Sequence, residues 1–182
     1  GVGLLPAGGG TKEMVQRTMQ QVMEDEQVDP MPYLKEKFKT IGMAKVSDGA
    51  PKARQMGYLR DTDAIVMNRD LLIASAKAEA RRIADTGYHP PQKSSVKVLG
   101  KRALSSFKLM LYTMHEANFI TDYDKVVAEK VAYIMSGGDL SEPQEVPEDY
   151  LLRLEREAFL ELLEDERTQD RIEHMLKKGK PL

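Results

Sequence analysis

The chain has 182 residues, enough for one domain with a real core, and its 41% apolar and 31% charged residues are ordinary for a globular protein. A net charge of −2 argues against nucleic acid as a partner. No apolar run approaches the roughly 18 residues of a membrane span, and the absence of Cys excludes disulfides, thiolate metal sites and a Cys nucleophile.

The opening, GVGLLPAGGGTKEM, places a triple glycine directly before Thr11. Such a run marks a tight turn or a close backbone approach. The start at Gly1, with no initiator Met, reads as the start of a piece of a longer protein. Thr11 suits a helix N-cap, and Met14, Val15, Met19, Val22 and Met23 form an apolar stripe over about Lys12 to Glu26. This Met-rich face is the expected bare surface of an isolated fragment, and a bare face drives association. DPMP, Asp29 to Pro32, separates that helix from a second with Tyr33, Leu34, Phe38 and Ile41 on one side. Ser47 and Gly57 bracket a short helix.

AIVM, Ala64 to Met67, is the one convincing strand. Asn68 then caps a long Ala-rich helix over about Arg69 to Thr86, with Gly87 ending it. GYHPPQKSS reads as a loop, followed by a helix over about Lys101 to Asn118 carrying Leu104, Phe107, Leu111 and Met114. Thr121 and Asp124 resemble a capping box for a helix that stops at Gly137-Gly138. DLSEPQEVPED is an acidic loop, with Pro147 in the first turn of the next helix. Leu151, Leu154, Ala158 and Leu162 repeat at helical spacing. Thr168 is the expected cap of the last helix, whose apolar face is Ile172, Met175 and Leu176. The fold class is therefore mainly α, with at most one or two short strands.

Candidate chemistry is sparse. The glycine run fails the phosphate-loop spacing G-x-x-x-x-G-K-[ST], because Thr11 precedes Lys12. Pro6 spoils a G-x-G-x-x-G turn after Gly1 and Gly3. What survives is a glycine turn leading into a helix N-terminus, whose free N–H groups suit an anion or a polar ligand. His89, His115 and His174 lack a metal-binding spacing and read as structural or solvated. Ser105 and Ser106 lie in mid-helix without an elbow motif. In RLEREAFLELLEDER, Glu155 and Glu157 are two apart on what reads as a solvated face, and Arg153–Glu157 is an i,i+4 pair. No catalytic residues and no metal ligands emerge.

Three blocks carry a family resemblance. GLLPAGGGTKEM resembles the G-L-x-P-G-x-G-G-T-Q-R-L segment of the crotonase (enoyl-CoA hydratase/isomerase) superfamily, with Gly3, Pro6, Gly9, Gly10 and Thr11 matching and Ala7 in place of a Gly. AKVSDGAPKARQMGYLRDTDAIVMNRDLLIASAKAEARRIA is similar to that family's next block. EREAFLELLEDERTQDRIEHMLKKGKPL resembles the C-terminus of prokaryotic proteins that join a 3-hydroxyacyl-CoA dehydrogenase to an enoyl-CoA hydratase.

The resemblance implies one helical fragment over 1–182. Residues 1–100 would belong to the crotonase core, 101–146 would be family-specific helices, and 147–182 would be terminal helices. It implies that both catalytic glutamates and the oxyanion hole precede Gly1, leaving Pro6, Ala7 and Gly8 as a wall of an acyl-CoA site. It also implies a cytoplasmic fatty-acid β-oxidation enzyme as the parent, with NAD serving its dehydrogenase domain and no cofactor in this chain. Partners would be acyl-CoA, the upstream domains of the same polypeptide and a homo-oligomer. The alternative is a non-catalytic helical packing or oligomerisation module.

Overall fold

A computed structural model describes residues 2–6, 8–22, 28–90 and 92–182. The chain forms two compact units, residues 1–46 with 94–182, and residues 47–93. The larger unit contains α1 (Gly10–Val22), α2 (Met31–Gly42), β1 (Ser95–Val98), α5 (Lys101–Glu116), α6 (Asp122–Ser136), β2 (Gln144–Pro147), α7 (Glu148–Glu164) and α8 (Glu166–Lys178). The smaller contains α3 (Ala50–Gln55) and α4 (Leu72–Asp85), the latter preceded by a 3-10 turn, Arg69–Leu71. The architecture is mainly α, as the periodicities require.

In the larger unit α6 is the central helix, packing against α1, α2, α5 and α7. Its Val131, Ala132, Ile134 and Met135 are buried in a core shared with Val15 and Met19 of α1, Leu34 and Phe38 of α2, and Leu151, Leu154, Ala158 and Leu162 of α7. Phe107 of α5 stacks on Phe38 with ring centroids 4.6 Å apart, a favourable offset arrangement. The capping box forms with Asp in place of Glu. Thr121 Oγ1 accepts the Asp124 N–H at 3.1 Å, and Asp124 Oδ2 accepts the Thr121 N–H at 3.2 Å. Gly137 ends α6 where the sequence expects the helix to stop, in the left-handed conformation at φ +89.

Several expectations need correction. AIVM forms no strand; β2 lies in the segment expected to be an acidic loop, and β1 starts at the last residue of the expected loop GYHPPQKSS and runs on to Val98. β1 and β2 pair antiparallel, Val96 opposite Val146 and Lys97 opposite Glu145. Val96, Val98 and Val146 point into the core. The Met-rich face of α1 is not bare either, because Met14 and Met19 are 6% and 2% exposed. The part of that helix expected beyond Val22, including Met23 and Glu26, lies outside the described residues. Tyr33 is exposed while Leu34 and Phe38 are buried, and Leu176 is exposed too.

Several caps move as well, and Thr11, expected as the N-cap of α1, lies inside a helix that begins at Gly10. Gly49, not Ser47, precedes α3, and Pro147 is the residue before α7 rather than part of its first turn. Asp165 caps α8 by accepting the Arg167 N–H at 2.9 Å. Thr168 is instead fully buried one turn later. Its hydroxyl donates to the Gly3 carbonyl at 2.8 Å and shares a 2.5 Å hydrogen bond with Tyr123. The guanidiniums of Arg167 and Arg171 lie 4.1 and 5.0 Å from the Tyr123 ring centre, which adds cation–π attraction. The N-terminal segment is thereby pinned to α6 and α8.

Gly100 sits at φ 59 and ψ −145, between β1 and α5, and an added Cβ would lie 2.6 Å from the Leu140 carbonyl oxygen. Gly8, at φ +71, has open space where its Cβ would be. Gly100→Ala is therefore expected to cost about 3 kcal/mol or more, combining backbone strain with a backbone clash. Gly8→Ala should cost only about 1–2 kcal/mol, the backbone term alone. Urea unfolding of the two variants checks this, and equal losses would contradict the contact.

Candidate functional site

The glycine turn has a local cause. Gly8 and Gly9 have φ of +71 and +92, which side chains other than hydrogen resist. A Cβ on Gly10 would come within 2.8 Å of the Pro6 ring. The turn thus doubles back on Pro6 and delivers the chain into α1. Of the residues expected to wall a substrate site, Pro6 is half-buried and Gly8 exposed, while Ala7 lies outside the described residues.

A helix begins with four N–H groups that lack intrahelical partners, and its dipole favours an anion there. The sequence leaves open what meets them. The structure supplies the anion from within: Glu155 of α7, 4% exposed, accepts the Lys12 N–H at 2.7 Å. Burial pushes the Glu155 carboxyl up, and the N–H groups of Lys12 and Thr11, with the Thr11 hydroxyl nearby, only partly offset it. The Thr11 hydroxyl itself finds no partner in full hydrogen-bonding geometry. Glu155 is therefore a buried capping group, which corrects its placement on a solvated face. Its neighbour in the pattern, Glu157, does sit on such a face, 4.0 Å from Arg153.

Lys12 completes the junction. Its ammonium lies 2.8 Å from Glu148, 3.2 Å from Glu13 and 3.1 Å from the Gln16 side-chain oxygen Oε1. Glu148 also accepts the Ser94 N–H at 3.2 Å and its hydroxyl at 2.9 Å. Gln16 in turn donates to Ser94 at 2.7 Å. Burial works against the Lys12 charge, but the hydrogen bonds to Glu148 and Glu13 outweigh it and raise its pKa. Hydrogen bonds from Lys12 and Ser94 hold the Glu148 carboxyl down at about 2. All three donors of Lys12 are engaged, so the cluster reads as a structural joint between α1, β1 and α7.

One remaining candidate, His115, also resolves into local structure. His115 pairs with Asp122 at 2.6 Å across the α5–α6 turn. Among the described residues, no three His, Asp or Glu side chains gather where they could hold a metal ion. An open groove of about 410 Å³ is lined by Gln16, Met19, Gln20, Ser95, Val96, Lys97 and Glu145. Its Gln16 and Ser95 side chains are already hydrogen-bonded, to Ser94 and Glu145. No helix among the described residues is long and apolar enough to cross a membrane.

The described residues do not form a Rossmann-type dinucleotide site. A dinucleotide site uses a βαβ unit and a helix N-terminus open to pyrophosphate. Here the two strands are antiparallel and pair only with each other among the described residues, and the α1 N-terminus faces a carboxylate.

Fold and site together define a helical segment braced by an internal ion-pair joint. A Bacillus subtilis (strain 168) protein described as "Probable 3-hydroxyacyl-CoA dehydrogenase" is 43% identical over 182 residues, which is 100% of this chain and 22% of that protein. The chain thus spans about a fifth of the length of the curated relative it matches. No protein-family model matches the chain, and no solved structure does.

These findings overturn the crotonase resemblance. The relative is described as a dehydrogenase, and neither a crotonase nor a hydratase is supported. The residues that carried the resemblance have local reasons to be there. Gly3 leaves room for Thr168, Gly9 adopts positive φ, and Gly10 packs on Pro6. A tight turn into a helix imposes such residues whatever the domain around it.

Two outcomes test the joint. Glu155→Ala leaves buried N–H groups without an acceptor and should destabilise the larger unit by about 1–3 kcal/mol. Glu155→Gln keeps an acceptor oxygen and sheds a buried charge, so it should stay within about 1 kcal/mol of the parent. Denaturant unfolding at neutral pH distinguishes them, and a harmless Glu155→Ala would refute the cap.

The second outcome concerns acid. The Glu148 carboxyl is lowered from an ordinary 4.5 to about 2 on folding, so its stabilisation is complete above the ordinary value and is lost as pH falls towards 2. Glu155 has the opposite sign. Its raised value means that its protonated form favours the fold, so it cannot be the source of acid lability. Stability should therefore fall between about pH 4.5 and 2, and Glu148→Gln should flatten that slope. An unchanged slope in Glu148→Gln would contradict the assignment.

Proposed function

We propose that the chain is a structural segment of a larger 3-hydroxyacyl-CoA dehydrogenase that serves fatty-acid oxidation, and that other parts of that polypeptide supply the chemistry. The 43% identity over all 182 residues to part of the Bacillus subtilis protein carries this reading. In the parent, the C3 hydroxyl of a 3-hydroxyacyl-CoA would be oxidised to a ketone, with hydride passing to NAD and a proton released. The closed α1 N-terminus and the antiparallel two-stranded sheet support placing the NAD site outside these residues. In this reading Pro6, Ala7 and Gly8 would contribute to the wall of an acyl-CoA site built mainly by other segments, and the exposure of Gly8 is compatible with that role.

A second reading, an assembly module within the same polypeptide or a homo-oligomer, is favoured by one observation. Along α4, Leu72, Ile73 and Ile83 fall on one helical face and are all exposed. Soluble proteins rarely leave such a face without a partner.

The test compares the purified chain with the full-length polypeptide, each given a short 3-hydroxyacyl-CoA and NAD. NADH is expected to form only with the full-length protein. Saturable NADH production by the 182-residue chain would overturn the structural reading, and none from the full-length protein would overturn the dehydrogenase reading. Light scattering of the same samples during size exclusion separates an assembling segment from a monomeric one.

A further inference from the structure

We draw no further inference here: the strongest candidate, the apolar stripe of Leu72, Ile73 and Ile83 along α4 in the 47–93 unit, is an unpartnered helix face, and nothing in the structure shows what covers it.

Discussion

The larger unit depends on how the first turn of α1 is satisfied. A helix that starts inside a protein must find acceptors for its leading N–H groups or lose about 1–3 kcal/mol for each one stranded. Here the acceptor is a carboxylate 143 positions away in sequence, Glu155. A buried carboxylate is itself costly, and it persists only where donors surround it. The Lys12 N–H and the helix dipole offset part of that cost, while the Lys12 ammonium turns to Glu148 at the start of α7. One residue thus ties α1 to α7 twice, through its backbone and through its side chain. Ser94 extends the joint to the start of β1. The glycines before it are a geometric requirement of reaching that position, since the turn must fold tightly against Pro6.

This closure bears on function. A glycine turn before a helix is a place where many proteins bind phosphate. Here the same geometry is already occupied by an internal carboxyl group, that of Glu155. The ligand-like appearance of GGGT and its structural role arise from one physical cause, orphan N–H groups, met by different acceptors. The functional reading therefore rests on similarity to a much longer dehydrogenase rather than on a constellation of side chains.

Most helices were legible in the sequence because their cores repeat at helical spacing. Leu151, Leu154, Ala158 and Leu162 are all buried, and Thr121 with Asp124 forms the reciprocal cap that its spacing suggests. The strands were hidden by their length. β2 buries only Val146, and one inward residue leaves no alternation to read. β1 does alternate, with Val96 and Val98 inward, a signal masked by the polar loop that precedes it. AIVM is more apolar than either strand yet finds no partner to pair with, and pairing is what makes a strand. Glu155 was misplaced because its surroundings in RLEREAFLELLEDER are charged, and only tertiary structure brings an uncapped helix to it. Thr168 is the same kind of case: a good capping residue used instead to clamp Gly3 and Tyr123.

The most direct measurement of the central claim is amide hydrogen exchange at Lys12. First-turn amides of a helix ordinarily exchange readily, since they lack intrahelical acceptors. If Glu155 closes α1 from within, the Lys12 amide should exchange as slowly as core amides of α6 such as that of Val131. Glu155→Ala should release it while the α6 amides stay protected. Rapid exchange at Lys12 in the unaltered protein, at the rate of exposed amides, would show that the helix terminus is open and would contradict the account.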